Sequence, residues 1–248
     1  MELTPTIQFF CERGRRSNNE DSIIYGNLFG NSGWFFAVCD GVGGADKGEV
    51  ASALTCKNIK EYLQKNISDT YNQDYMNEMI GFVENEFDKY INQCPTAKEM
   101  ATTMALLILY SDSDKAVVAH VGDSRIYHIR KDTILYKTQD HSLVNEFVKS
   151  GIITEKEACT HPQRNVITRA IQGKQKKSVN ADVHSINNIE NSDFFFLCSD
   201  GILESITDSQ LIQILSKDWD NKKKMYFIRE QCANFSKDNY SAFLVQIK

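Results

Sequence analysis

Residues 104–138 read MALLILYSDSDKAVVAHVGDSRIYHIRKDTILYKT. Runs of aliphatic, β-branched and aromatic residues alternate here with turn residues, the signature of short strands in close succession. Connections of two to four residues leave no room for the helix that each parallel crossover needs. The spacing therefore predicts an antiparallel meander from Met104 to Thr138.

Working outward, SIIYGNLFG (22–30), WFFAVCDG (34–41), DFFFLCSDG (193–201) and YSAFLVQI (240–247) read as further strands. Between the early and middle strands two helices fit. The first starts near Glu49, with Val50, Ala53, Leu54, Tyr62 and Leu63 on one side. The second starts near Asp74, with Met76, Ile80, Val83, Phe87 and Tyr90/Ile91 at helical spacing. Thr207 is the expected N-cap of TDSQLIQIL, and KKKMYFIREQCANF (222–235) reads as a last helix before the final strand. Paired helices around antiparallel strands predict a layered α+β domain.

The chain has 248 residues, enough for one full core. Only three prolines occur and no linker-like stretch divides it, so a single domain over 1–248 is expected. A formal net charge of −5 argues against a general affinity for nucleic acid or anionic lipid. The basic run Lys222–Lys224 lies among acidic neighbours and reads as a solvated helix face. Seven scattered cysteines, several within apolar runs and none in a CxxC pair, suit buried free thiols in a reducing, cytoplasmic setting. Neither a leader-like N-terminus nor an apolar run of roughly 18 residues is present, so no membrane association is expected.

The aspartates carry the functional signal. Asp40, Asp123 and Asp200 each follow a buried-looking strand, and Asp238 immediately precedes one. A single Asp-Gly is ordinarily a turn signal, but four carboxylates at strand mouths can converge on one sheet edge. Two carboxylates about 4 Å apart repel by about 4 kcal/mol at an effective dielectric near 20, so convergence demands protons or cations. Hard oxygen ligands suit Mg²⁺ or Mn²⁺ rather than zinc.

Asp40 opens DGVGGADKGEVAS. Gly43 and Gly48 have the separation of a phosphate-binding loop, but Glu49 stands where its lysine belongs. The glycines free the Gly41 carbonyl to ligate a metal, or they simply make a turn. Upstream, Arg13, Arg15 and Arg16 accompany Glu20 and Asp21, either as a phosphate clamp beside a metal site or as an exposed charged loop.

In order along the chain, RRSNNEDS, FFAVCDGVGG, ATTMALL, AHVGDSRIYHIR, TQDHSLVNEFVKSGIIT, HPQRNVITRAI, FFFLCSDGILESITD and KDNYSAFLV resemble the metal-dependent type 2C protein phosphatases, particularly their compact bacterial-style members. The resemblance spans about Gly14 to Val245. It implies a four-layer α-β-β-α sandwich, two antiparallel sheets flanked by antiparallel helix pairs, with two Mn²⁺ or Mg²⁺ ions at one end. It further implies that Asp40 bridges both ions, that Asp200 and Asp238 complete one shell, and that the Gly41 carbonyl serves the other. Asp123 matches a ligand for a third, weaker ion, and Arg16 matches the arginine that holds the substrate phosphate. Glu20 and Asp21 match the acidic pair that supports the metals through water, and Asn239 follows Asp238 as the pattern expects. About 142–173 corresponds to a variable flap that shapes substrate choice.

Two residues depart from the pattern. Val42 stands where many eukaryotic members carry a histidine proposed as general acid, and Ala101 replaces a usual glycine.

The reaction these features predict is hydrolysis of phosphoserine and phosphothreonine in proteins by a cation-activated water, without a phosphoenzyme, in a monomer; the resemblance alone implies an opposing serine/threonine kinase. A cysteine-based phosphatase is excluded, since no cysteine has an arginine six positions later. A phosphoprotein-binding pseudophosphatase and a hydrolase of small phosphate esters are the competing readings. His120, inside AVVAHVG, reads as a core histidine, and His141 lies nearer the flap.

Overall fold

A computed structural model describes residues 4–28, 32–42, 47–158, 160–174 and 177–248. One sheet has the order β1 (Pro5–Glu12), β12 (Tyr240–Ile247), β11 (Phe194–Cys198), β7 (Arg125–Arg130), β8 (Thr133–Lys137). The other runs β10 (Asp182–Ile186), β6 (Ala116–Val121), β5 (Met104–Tyr110), β3 (Gly33–Asp40), β2 (Asp21–Asn27). Each neighbouring pair is antiparallel. A two-residue pair, β4 (Ala101–Thr102) with β9 (Ile171–Gln172), stands apart.

Burial follows position in the sheet. Phe194–Cys198 lies between two strands with both faces covered, and all its residues are buried. Thr133–Lys137, at an edge, alternates between exposed and half-buried.

The meander expected from Met104 to Thr138 does not form. Met104–Tyr110 pairs with Ala116–Val121 in one sheet, while Arg125–Arg130 pairs with Thr133–Lys137 in the other. Gly122, Asp123 and Ser124 carry the chain between the sheets. Gly122 adopts φ +96°, and a Cβ there would lie 2.6 Å from Thr103 Cγ2, so glycine is required on both counts. The physical reason for the crossing is burial: β6 is buried along its whole length and β7 nearly so, and two such strands are covered by lying in facing sheets.

Between the sheets, Phe36, Leu107, Val118, Ile126, Phe195, Leu197 and Phe243 form a common core. A second core fills the space under α1 (Gly48–Lys65) and α2 (Gln73–Gln93), and a third lies under α6 (Asp208–Leu215) and α7 (Asn221–Phe235). The result is the four-layer sandwich. Two short helices, α3 (Leu143–Lys149) and α4 (Glu155–Ala158), lie in the expected flap, and α5 (Asp200–Leu203) follows β11 directly. Among the described residues, no helix is long and apolar enough to cross a membrane.

Local signals explain the helix ends. Asn72 accepts the Tyr75 N–H at the start of α2, Thr207 and Gln210 form a capping box on α6, and Asp220 accepts the Lys223 N–H on α7.

Two expectations on helix faces are corrected. In α1 the buried face is Ala51, Ser52, Thr55, Cys56, Ile59 and Leu63; Ala53 is exposed, while Val50, Leu54 and Tyr62 flank the core. Leu63 and the three flanking residues meet the core as expected, and only Ala53 faces away, small polar residues such as Ser52, whose Oγ lies 3.0 Å from Ser22 Oγ of β2, taking the sheet side. Lys222 and Lys223 are solvated as expected, but Lys224 is buried, its Nζ 4.8 Å from the Phe194 ring centroid.

Phe243 is fully buried and meets Phe36 edge-on at 5.7 Å across the sandwich. Phe243→Ala should therefore cost about 3–5 kcal/mol in urea unfolding, and a loss below about 1 kcal/mol would contradict this account of the inter-sheet core.

Candidate active site

The antiparallel topology delivers acidic residues to one end of the sandwich. Asp40 is the last residue of β3, and Asp21, the first of β2, is its register partner. On the facing sheet Asp200 opens α5 directly after β11, and Asp238 lies just before β12. Asp123 sits on the crossover between the sheets. The sequence-predicted aspartates are thus brought together: the Asp40 and Asp200 carboxyls lie close enough to act on each other, Asp123 is within electrostatic reach of both, and Asp238 acts on Asp200 and Asp21.

The two sheets are tied at this end by polar bonds. Ser199 Oγ donates to Asp21 Oδ2 at 2.7 Å and accepts the Ser241 N–H at 3.0 Å. Asn239 Oδ1 accepts the Glu20 N–H at 2.8 Å, while its Nδ2 donates to the carbonyls of Arg13 and Asn18 at 2.7 and 2.8 Å. Asn239 therefore straps the arginine loop to the start of β12. Within that loop the arginines separate by partner. Arg16 Nη2 meets Asp238 Oδ2 at 2.6 Å, whereas Arg15 donates to the Asn234 carbonyl at the end of α7.

Gly41 is buried, donates its N–H to the Glu20 carbonyl at 3.0 Å and bridges to Thr102. A Cβ on Gly48 would lie 3.1 Å from Glu20 Cδ, so that glycine lets helix α1 approach the Glu20 carboxylate. Gly43, part of the phosphate-loop comparison, lies outside the described residues. The Asp40 backbone is held by Thr102 and Thr103: its N–H donates to Thr103 Oγ1 at 3.0 Å, and its carbonyl accepts Thr102 Oγ1 and the Thr103 N–H, each at 2.8 Å.

Electrostatics make the cluster uncomfortable without a counter-charge. Burial first, then neighbouring carboxylates, pushes Asp21 up to about 7 and Asp123 up to about 8. The same causes raise Asp200 to about 6 and Asp40 well above the carboxylate range, and Glu20 also rises. The hydrogen bond to Asp238, before any other cause, raises Arg16. Among the described residues, Asp21 Oδ1 is buried with no hydrogen-bond partner. Crowded carboxylates that retain protons, beside an orphaned carboxylate oxygen, fit a hard divalent cation.

His120, His141 and Asp182 form a second group, with one donor atom each within 4.8 Å. The imidazoles stack at 4.5 Å, 12° from parallel, so their in-plane lone pairs run side by side rather than meeting at a point. Arg169 Nη1 meanwhile holds Asp182 Oδ1 at 2.7 Å. The aspartate cluster is the stronger candidate for cations. His120 is buried as expected, with Nε2 3.0 Å from the Gln139 carbonyl.

Sequence reading missed Ser199, Thr103 and the strapping role of Asn239. The available signal was position alone: each is a small polar residue adjoining an aspartate or a strand end.

The sequence pattern of the family described as protein phosphatase 2C matches residues 13–246. The serine/threonine phosphatase stp of Listeria innocua is 31% identical over 259 residues, covering 96% of this chain and 94% of that protein. Among solved structures, the serine/threonine phosphatase Stp1 from Staphylococcus aureus matches with a TM-score of 0.89 and 30% identity, covering 100% of this chain and 98% of its own. The catalytic domain of the serine/threonine protein phosphatase PstP, solved in complex with 2 manganese ions, shares the fold at 23% identity, with a TM-score of 0.81 and 99% of each chain covered.

The raised carboxyls fix a sign. Asp21, Asp200 and Asp123 bind protons more tightly folded than at their ordinary 3.8, so their contribution to stability is present at low pH and is lost as pH rises through about 6 to about 8. Asp193 acts oppositely: against burial, bonds from Arg130 and His128 hold it below 3.8, so its contribution is lost only in stronger acid. In chelator, the Tm should fall between about pH 4 and about pH 8, the fall should be shallower in Asp40→Asn, and Mn²⁺ should reverse it at the upper end. A Tm that is level or rising across that range in scanning fluorimetry would remove carboxylate repulsion from the account.

Proposed function

The chain belongs to the protein phosphatase 2C family, and we propose that it is a metal-dependent phosphatase of phosphoserine and phosphothreonine in proteins, acting through the aspartate cluster. The observation that carries this reading is the convergence of Asp40, Asp200, Asp123, Asp21 and Asp238 at one end of the sandwich, in electrostatic reach of one another, where burial leaves carboxylates needing positive charge.

In this reading Asp40, Asp200, Asp238 and the Gly41 carbonyl would hold two Mn²⁺ or Mg²⁺ ions, Asp40 serving both, and Asp123 would hold a third. Glu20 and Asp21 support them through water. Bound there, the cations supply a water acidic enough to attack phosphorus and offset the charge of the phosphoryl group.

The chain's own residues do the rest. Arg16, half exposed on its strapped loop, presents a planar fork to two phosphate oxygens and stabilises charge that grows during attack. No side chain is phosphorylated on the way. Cys39, next to Asp40, is a poor nucleophile because the neighbouring Cys56 thiol, which accepts its hydrogen, and burial push the thiol well up. Val42 offers no proton to the leaving oxygen.

The whole chain, 1–248, acts as one catalytic domain, a monomer, with 142–173 as the flap that shapes substrate choice. Buried free thiols at Cys39, Cys56, Cys198 and Cys232 support a reducing, cytoplasmic setting, where a serine/threonine kinase makes the substrates.

Phosphate release from phosphoserine and phosphothreonine peptides should require Mn²⁺ or Mg²⁺ and stop in excess chelator. Asp200→Asn should lower kcat at least about a hundred-fold, since losing a ligand costs more than losing its outer partner. Arg16→Ala should lower kcat/KM by about 10²–10³, and Arg16→Lys should not restore it. Unchanged turnover in Asp200→Asn would sink the assignment, and metal-dependent binding of phosphopeptides without turnover would replace it with a binding role.

A further inference from the structure

Asp123 occupies a crossover of three residues, Gly122–Ser124, with no ladder of its own to fix where its carboxylate points. Something else must hold it. On one side that is Thr103, whose Oγ1 pairs with Ser124 Oγ at 2.7 Å while accepting the Asp40 N–H.

On the other side a single residue takes both backbone polar groups of Gly122. His141 donates its own N–H to the Gly122 carbonyl at 2.9 Å, and its ring Nδ1 accepts the Gly122 N–H at 3.1 Å. The two bonds fix the peptide planes on either side of the Gly122 Cα, at a positive φ, one residue before Asp123.

The same contacts settle the ring's chemistry. A backbone N–H can only donate, so Nδ1 carries the lone pair and Nε2 carries the proton. Nε2 donates to Asp182 Oδ2 at 3.1 Å, and Arg169 Nη1 donates to the other oxygen of the same carboxylate at 2.7 Å. The His141 carbonyl accepts the Thr168 N–H at 2.8 Å, and His120 covers one face of the ring. A buried imidazole is therefore locked in tautomer and orientation by β10 and by the base of the 142–173 segment.

We propose that His141 is a positioning residue for Asp123: its backbone and Nδ1 clamp Gly122 so that the Asp123 carboxylate is aimed at a cation, and its Nε2 bond to Asp182 holds the clamp rigid. The inference rests on the reading of Asp123 as a cation ligand. In this role His141 touches neither substrate nor metal. The amide oxygen of asparagine lies the same number of bonds from Cα as Nδ1, whereas that of glutamine matches Nε2. Asn at this position can therefore keep the Gly122 bond, and Gln cannot.

The test is Mn²⁺ binding measured by calorimetry on the full chain, together with the Mn²⁺ dependence of phosphate release. It compares wild type, Asp123→Asn, His141→Ala, His141→Asn, His141→Gln and the double variant Asp123→Asn/His141→Ala. His141→Ala should weaken the lowest-affinity Mn²⁺ event about ten-fold, as loss of an outer partner does. His141→Asn should recover most of that and His141→Gln little. In the Asp123→Asn background His141→Ala should add no further loss. If His141→Ala fails to fold, the contrast between Asn and Gln still decides.

A wild-type Mn²⁺ isotherm in His141→Ala, or equal rescue by Asn and Gln, overturns the clamp while leaving the ligand reading intact, provided Asp123→Asn is impaired. An Asp123→Asn protein with an unchanged isotherm overturns both.

Discussion

Like charges crowded into a space largely closed to water set the terms for one whole end of this molecule. Asp21, Asp40, Asp123 and Asp200 face one another there, and burial together with mutual repulsion drives their proton affinities up. Such a cluster opposes folding unless protons or cations offset it, because each carboxylate loses hydration on entering the site, and the pull of Arg125 on Asp123 and of Arg16 on Asp200 is outweighed by burial and repulsion. Arg16 itself reaches Asp238 at the rim.

What holds the cluster together against its own field is the sandwich behind it and a set of short polar ties in front. Apolar residues of both sheets interlock through Phe36, Phe195 and Phe243, which fixes the distance between the strand ends carrying Asp40 and Asp200. Ser199 then joins Asp21 to the opposite sheet, Asn239 joins the arginine loop to the start of β12, and Thr103 joins Asp40 to the crossover. Neutral donors suit this work. A hydroxyl or an amide can satisfy a buried carboxylate or carbonyl without adding charge to a place reserved for cations.

Several sequence readings survived contact with the structure because their physics is local. The strand at Phe194–Cys198, the N-cap at Thr207 and the helical spacing of Met76, Ile80, Val83 and Phe87 depend on neighbours within a few positions. The readings that failed depend on what lies opposite. Whether β6 pairs with β7 or faces it across a core is not written in either strand, since both are buried along almost their whole length and would be covered either way. On α1 only Ala53 was misplaced, because Ser52 and Thr55 take the side of the helix that meets the sheet. Lys224 is buried because an aromatic ring from β11 lies under it.

The sequence alone determined which residues carry charge at strand ends, that their donors are hard oxygens, and that helices pair around antiparallel strands, since residue type and periodicity are properties of the chain itself. Only the tertiary structure decided that those carboxylates share one space, which of the arginines turns toward them, and that Gly122 is gripped by His141. These are contacts between residues far apart in sequence, and their geometry depends on how two sheets stack, which no local pattern records.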